Sequence, residues 1–167
     1  MLTEEHDILT NNGEWKNILD LTTNDTVATL QGLSQIIYVP VQELSVIDVN
    51  TNVYHAILSN ADLRVTHNHS VYADLYSEEE NRWLGYAFRK PADLMGKTYV
   101  IMHDINYGIV NEEENPGVEK IIQYQGKAIY LRISNSKSQV VLLRRNLKAA
   151  WVPICDENDV DNIQTAP

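Results

Sequence analysis

Short apolar runs separated by turn-forming residues fill most of the chain, and the clearest example covers residues 117–145. This stretch reads GVEKIIQYQGKAIYLRISNSKSQVVLLRR and is rich in Ile, Val, Tyr and Leu. Turn-forming residues interrupt it at Gln125-Gly126 and at positions 135–138 (Asn-Ser-Lys-Ser). Runs of β-branched and aromatic residues joined by tight turns are typical of antiparallel strands. The pattern therefore predicts a three-stranded β-meander.

The same pattern of short strands and turns extends back to Thr26 and forward to Ile154. Asn50-Thr51-Asn52 predicts a hairpin turn, and a second turn at 59–62 leads into the next strand. Turn signals at intervals of about 8–12 residues indicate a sandwich or a barrel, and the pattern does not choose between them. We expect an all-β, antiparallel domain over residues 25–154.

The two ends of the chain differ from this domain. Residues 14–19 are predicted to form one helical turn, with Trp15, Ile18 and Leu19 on one side. A helix this short is not stable alone, so these side chains should dock on their own domain or on a neighbouring subunit. Residues 1–24 are interpreted as an N-terminal arm, and residues 155–167 as an acidic C-terminal tail.

Composition and charge narrow the classes of partner. The chain has 167 residues, 44% of them hydrophobic and 22% charged, which is ordinary for one globular domain. Its net charge of −10 is concentrated at the ends: residues 1–63 carry one base and nine acids, and the part after Ile154 carries four acids and no base. An acidic surface repels phosphate, so nucleic acid is not an expected partner. Segregated charge suits contacts between copies.

The sequence also bears on location. No apolar run approaches the roughly 18 residues that span a bilayer, so no membrane partner is expected. The acidic N-terminus does not resemble a secretory signal. Cys155 is the single cysteine, so the chain forms no internal disulfide. The expected location is the cytoplasm or a virus particle, without secretion by a classical signal.

A pair of histidines is the sharpest candidate for metal chemistry. His67 and His69 lie two residues apart, so on a strand they would face the same side and could bind one metal ion. His55 is the nearest third ligand. In one register of the turn at 59–62, His55 lies on the face opposite His67, and a slip of one residue brings the two together. The alternative interpretation is that these are surface or half-buried histidines at a strand end.

Candidates for catalysis are weak. Nucleotide-binding, paired-cysteine, metalloprotease and serine-hydrolase motifs are absent from the sequence. His103 and Asp104 are adjacent, so on a strand their side chains would point to opposite faces. Cys155 lies beside Asp156 and Glu157, whose charges should raise the pKa of its thiol and suppress the thiolate. None of these groups is predicted to be catalytic, and no cofactor is expected.

A small basic cluster closes the last apolar run. Arg144, Arg145 and Lys148 could bind an anion, or an acidic segment such as the tail of a second copy. Alternatively, they are solvated charges that guard a sheet edge.

Taken together, these features predict a non-enzymatic structural or adaptor component of a larger assembly, for example a virus particle. It would contact other protein subunits, as a homo-oligomer or larger assembly, through its two ends. Two alternatives stay open. One is a small β-barrel that binds a metal or small ligand through His55, His67 and His69. The other is an acidic inhibitor or immunity-type protein.

Overall fold

A computed structural model describes residues 1–32, 35–58, 61–102, 118–134, 137–156, 159 and 164–165. The strands are β1 (Leu2–Thr3), β2 (Asp7–Thr10), β3 (Glu14–Asn17), β4 (Thr26–Gln31), β5 (Gln35–Ile57), β6 (Asp62–Thr66), β7 (Val71–Ser77), β8 (Arg82–Arg89), β9 (Tyr99–Ile101), β10 (Val118–Ile133), β11 (Val140–Arg145), β12 (Lys148–Pro153) and β13 (Gln164–Thr165). A 3-10 turn covers Ile18–Asp20, and a one-turn helix α1 covers Pro91–Leu94. The predicted all-β fold is confirmed.

The strands form two antiparallel sheets. The larger sheet has the order β10-β1-β6-β5-β4-β2-β11-β12, with β3 added beside β2 and β13 beside β5. Strand β10 also pairs directly with β5, so β1 and β6 are enclosed between these two long strands. The smaller sheet has the order β8-β7-β9. The helices within the described ranges include none with the length and apolar character that a membrane crossing requires.

Strands β5 and β10 pair over almost their whole common length, from Val118 opposite Ile57 to Ile133 opposite Val41. The predicted turns at Gln125-Gly126 and at 50–52 are therefore wrong. The two segments predicted as turns lie opposite each other, with Gln125 paired to Asn50. Pairing between the two strands therefore satisfies the backbone hydrogen-bonding groups of both segments. A Cβ at Gly126 would lie 2.7 Å from the hydroxyl oxygen of Tyr124, because that ring covers the glycine. The turn predicted at positions 135–138 falls partly on residues 135–136, which lie outside the described part of the chain.

Residues 1–24 belong to the core and do not form a separate arm. Leu2 on β1 pairs with Val65 on β6 and with Ile129 on β10, so this strand lies inside the larger sheet. Leu2, Ile8 and Ile18 are buried. The predicted helical turn is present only as the 3-10 turn, and Trp15 lies on strand β3. The arm prediction failed because the apolar positions here are few, although Leu2, Ile8 and Ile18 are all buried.

A small apolar cluster surrounds the start of the chain. Met1 packs with Val49 and Val53 of β5, Tyr124 and Ala128 of β10, and Cys155, all of them buried. This packing fixes Met1 in the interior, at the point where β1 meets β6.

A matched pair of substitutions tests whether residues 1–24 are part of the core. Ile18 is 1% exposed, and its neighbour Leu19 is 37% exposed. Ile18→Ala should lower the free energy of unfolding by about 2–5 kcal/mol, because it leaves a cavity. Leu19→Ala should lower it by about 0.5 kcal/mol or less. Urea denaturation measures both values, and equally small losses would show that this segment lies outside the folded body.

Candidate functional site

The backbone nitrogen of Met1 is the centre of a buried polar cluster. In this chain, where Met1 is the first residue, its ammonium group lies 2.5 Å from Oγ1 of Thr66 and 2.5 Å from Oδ1 of Asp159. It lies 3.2 Å from Nδ1 of His69. Met1, Thr66 and His69 each have 0% of their surface exposed. A charged group with three polar partners is thus enclosed within an apolar interior.

Strand pairing and one turn bring Thr66 and His69 to this nitrogen. The amide of Thr66, the last residue of β6, donates to the Met1 carbonyl at 3.0 Å and extends the pairing of β1 with β6. The chain then turns, and the His69 amide donates back to the Thr66 carbonyl at 2.9 Å. This turn places the two side chains on the same side of Met1.

The hydrogen bonds of His69 determine its tautomer. Nε2 lies 2.7 Å from the carbonyl oxygen of Pro153. A carbonyl can only accept, so Nε2 carries the hydrogen and the lone pair of Nδ1 faces the Met1 nitrogen. Burial, followed by the nearby ammonium, lowers the pKa of His69. The ring is therefore neutral at pH 7.

Asp159 is the counter-ion of the cluster. Its Oδ1 contacts both Met1 N and His69 Nδ1, and its Oδ2 accepts from the Asp156 amide at 2.6 Å. Burial alone raises the pKa of this carboxyl. Its contacts with His69 and with the Met1 ammonium outweigh burial, so the pKa lies well below its ordinary value. Asp159 is thus ionised although it is buried.

Cys155 places a thiol next to the same groups. Its amide donates to the Leu131 carbonyl at 3.0 Å, which aligns it beside β10. Its Sγ and the ligand atoms of His69 and Asp159 all lie within 4.8 Å of one another. Burial raises the pKa of the thiol to about 12, and acidic neighbours add to this. The direction agrees with the sequence-based prediction, but burial is the main cause.

The three histidines predicted to bind metal do not converge. His55 pairs with Arg64 across β5 and β6, which matches neither register considered from the sequence. Its Nε2 lies 2.9 Å from Oδ1 of Asp62. His67 lies in the turn after β6, where its Nδ1 contacts the Asn52 carbonyl. Of the three, only His69 belongs to the group of possible ligands found among the described residues.

The predicted partner-binding residues make contacts within the chain. The guanidinium of Arg144 lies 4.3 Å from the ring centre of Trp15 and also pairs with Asp7. Such a contact stabilises the junction at which β11 meets β2. Ile18 is buried, so it is not available to a partner, whereas Leu19 is exposed.

The other two basic residues are also engaged. Arg145 donates to Oδ1 of Asp62 at 2.7 Å, and Lys148 donates to the Leu58 carbonyl at 3.1 Å. These contacts connect the β11–β12 hairpin to β6 and to the residue that follows β5. Association with other subunits through Arg144, Arg145 and Lys148 stays a prediction. The pair His103-Asp104 and most of the predicted tail lie outside the described residues.

Sequence reasoning missed Met1, Thr66 and Asp159, and it dismissed Cys155. A local signal exists for one pair only, because the spacing from Thr66 to His69 suits a turn that returns the second side chain to the first. Nothing distinguishes Asp159 from the other acids near the end of the chain. A backbone nitrogen carries no signal in a sequence.

Comparison with known proteins identifies the fold. No protein-family model and no curated protein matches the chain. Among solved structures, it is similar to a bacterial intein-like domain from Clostridium thermocellum, with a TM-score of 0.62 and 14% identity, over 90% of this chain and 96% of that one. The chain has an intein-like fold. At this level of identity, the likeness establishes the fold alone.

Two other inteins show the same likeness. The KlbA intein precursor from Methanococcus jannaschii has a TM-score of 0.63 and 12% identity, over 93% of this chain and 92% of that one. A splice-inactive variant of the AceL NrdHF class 3 split intein has a TM-score of 0.61 and 13% identity, over 93% of this chain and 97% of that one. The predicted role as a structural or adaptor component of a larger assembly, for example a virus particle, is wrong, because the similar structures are inteins and an intein-like domain.

A further histidine, His6, holds β1 in place beside the site. Its Nδ1–H donates to the Thr3 carbonyl at 3.0 Å, and its Nε2 accepts from the Arg64 amide at 3.3 Å. The carbonyl requires a donor and the amide requires an acceptor, so the folded chain needs the neutral ring. Burial lowers the pKa of His6 from 6.5 to about 4.

We therefore expect His6 to make the fold sensitive to acid. Between about pH 6.5 and pH 4, the unfolded chain binds a proton at His6 that the folded chain does not, so stability falls as the pH falls. The full shift corresponds to about 3 kcal/mol at 1.36 kcal/mol per pH unit. His6→Asn keeps the donor to Thr3 but does not titrate. Urea denaturation at pH 7 and pH 4 should show a smaller acid loss in the variant, and an equal loss in both proteins would contradict this role.

Proposed function

We propose that this chain is an intein-type autoprocessing domain that cleaves the peptide bond on the amino side of Met1 when residues precede it. The observation that carries the proposal is the enclosure of the Met1 nitrogen by Thr66, His69 and Asp159 within an intein-like fold. In a longer precursor this nitrogen belongs to a peptide bond. These side chains would then surround the bond to be broken. The proposal replaces the interpretation of the chain as a non-enzymatic protein.

The nucleophile must come from a residue other than Met1. A thioether has no hydrogen to lose, so it cannot form a neutral acyl intermediate. Cys155 is the only thiol in the chain, and its Sγ lies within 4.8 Å of ligand atoms of His69 and Asp159. Its raised pKa keeps it protonated at rest, so attack requires a base. We assign Cys155 as the nucleophile.

His69 suits the transfer of the proton. Its tautomer leaves a lone pair on Nδ1, which can accept the thiol proton as Sγ attacks the carbonyl carbon before Met1. In the precursor the Met1 nitrogen is uncharged. The ammonium that lowers the pKa of His69 is then absent, and Nδ1 is a stronger base. Asp159, in contact with Nδ1, stabilises the imidazolium that forms.

The reaction balances in two steps. The carbon–nitrogen bond breaks as Nδ1 of His69 returns the proton to the Met1 nitrogen. This step produces a thioester on Cys155 and a free amine. Water then hydrolyses the thioester, releases the preceding segment as a carboxylic acid and restores the thiol. The amine gains a proton from solvent and pairs with Asp159, which is the arrangement described above.

A precursor with a reporter domain fused before Met1 tests the proposal. It should cleave to yield a 167-residue chain that begins at Met1, as measured by mass spectrometry, and hydroxylamine should speed release by attacking the thioester. Cys155→Ala should abolish cleavage. His69→Gln should slow it by about 10²–10⁴-fold, because the proton carrier is lost.

His67→Ala is the matched control, since His67 lies two residues away in the same turn and its ring contacts the Asn52 carbonyl. Its cleavage rate should not change. The proposal is wrong if a folded precursor stays intact, or if Cys155→Ala cleaves at the original rate.

A further inference from the structure

We propose that a cavity beside Cys155 holds the side chain of the residue that precedes Met1 in a precursor, and that Phe88 makes this cavity select a large apolar side chain. The inference rests on the proposed function, because it concerns the residue whose carbonyl carbon Cys155 would attack. It adds to that function a preference for one class of substrate.

The cavity lies next to the reacting groups. Its volume is about 170 Å³, and the residues that line it include Phe88, Arg132, Pro153, Ile154, Cys155 and Asp156. The Pro153 carbonyl accepts the hydrogen bond from Nε2 of His69, so one segment both orients the proposed base and forms a wall of the cavity. A side chain placed in this space lies directly beside the thiol.

Covalent geometry brings the preceding residue to this cavity. Its carbonyl carbon is bonded to the Met1 nitrogen, and its Cα lies about 1.5 Å beyond that carbon. For attack, Sγ of Cys155 must approach the carbonyl carbon to about 3–3.5 Å. The Cα of the preceding residue therefore lies within about 5 Å of Sγ. Met1 itself packs against Val49, Val53 and Tyr124, so the interior beyond it is already filled.

The size and lining of the cavity indicate which side chain fits. An apolar cavity of about 150 Å³ in another protein binds benzene, so this one can hold an aromatic ring or a branched aliphatic chain. Phe88, Pro153 and Ile154 supply apolar surface. Arg132 and Asp156 carry opposite charges, so the lining favours neither an acidic nor a basic side chain.

Phe88 is the residue that gives the cavity its preference. It lies on strand β8 with 48% of its surface exposed, which is unusual for a phenylalanine. Its ring meets the ring of Tyr72 edge to face, with the two centres 5.6 Å apart, and this contact orients it. A second ring in the cavity could pack against Phe88. Such packing would hold the preceding carbonyl near Sγ and so raise the rate of attack.

Precursors that differ only in the residue before Met1 test the preference. The precursor with Phe at this position should cleave at least about tenfold faster than the precursor with Gly, because a few apolar contacts in a pocket are worth that much. A precursor with Asp should gain no such advantage. Mass spectrometry at successive times measures the rates. Equal rates with Phe and with Gly would overturn the inference.

Two variants on β8 test the assignment of Phe88. Phe88→Ala should move the ratio of the Phe rate to the Gly rate towards one. Leu84→Ala is the comparison, because Leu84 is also exposed on β8, at 37%, and does not line this cavity. It should leave the ratio as it is. If both variants change the ratio equally, Phe88 is not the selecting residue.

A second measurement separates this inference from the proposed cleavage. Phe88 is the only phenylalanine in the chain, so labelling with 4-fluorophenylalanine gives one signal from Phe88 and one from a Phe placed before Met1 in a short extension. In a His69→Gln precursor, the added fluorine should shift much less between H₂O and D₂O than it does in urea. Phe88→Ala should change its chemical shift, because the neighbouring ring is lost.

The two measurements together decide between the proposals. If the added fluorine is shielded from solvent but no precursor cleaves, the proposed function is wrong and the assignment of the cavity stands. If precursors cleave but the fluorine is as exposed as in urea, the inference is wrong and the proposed function stands.

Discussion

The enclosure of one backbone nitrogen organises this molecule. Met1 lies in the interior because the short strand β1 is held on both sides, by β6 and by the long strand β10. Thr66 ends β6, and His69 follows within the same turn. Any displacement of β1 would therefore move the nitrogen away from its partners.

This arrangement carries an energetic cost. An ammonium and a carboxylate buried in an apolar cluster both lose their hydration, and replacing such a pair by apolar side chains is often neutral or stabilising. Stability alone does not explain why the interior contains Asp159, His69 and a thiol together. Groups with shifted pKa values that converge in a protein interior commonly mark a functional site. The fold is similar to that of solved inteins.

The fold class was predictable from sequence because strand patterns are local. The connections were less predictable, since Gln125-Gly126 and Asn50-Thr51-Asn52 have turn chemistry but lie opposite each other within one long ladder. A local rule cannot recognise that two weak strand segments pair with each other. Residues 1–24 were misplaced for a related reason, because β1 has only two residues and depends entirely on its neighbours.

The site was less predictable still. Its members come from positions 1, 66, 69, 155 and 159, and only the pair Thr66 and His69 has a spacing that a turn explains. Two of the three histidines predicted to bind metal, His55 and His67, contact Asp62 and a backbone carbonyl instead. The spacing of the histidines in the sequence pointed to His69, which belongs to the cluster. It grouped His69 with His55 and His67, which do not.

The most direct measurement is the reactivity of the Met1 amine towards an acylating reagent, followed by mass spectrometry. If the amine is buried as described, it should be acylated only as fast as the protein unfolds, and far more slowly than the exposed Lys127, whose side chain is 48% accessible. In urea, both amines should react rapidly. If the folded protein is acylated at Met1 as fast as at Lys127, the nitrogen is not enclosed and the assignment of the site is wrong.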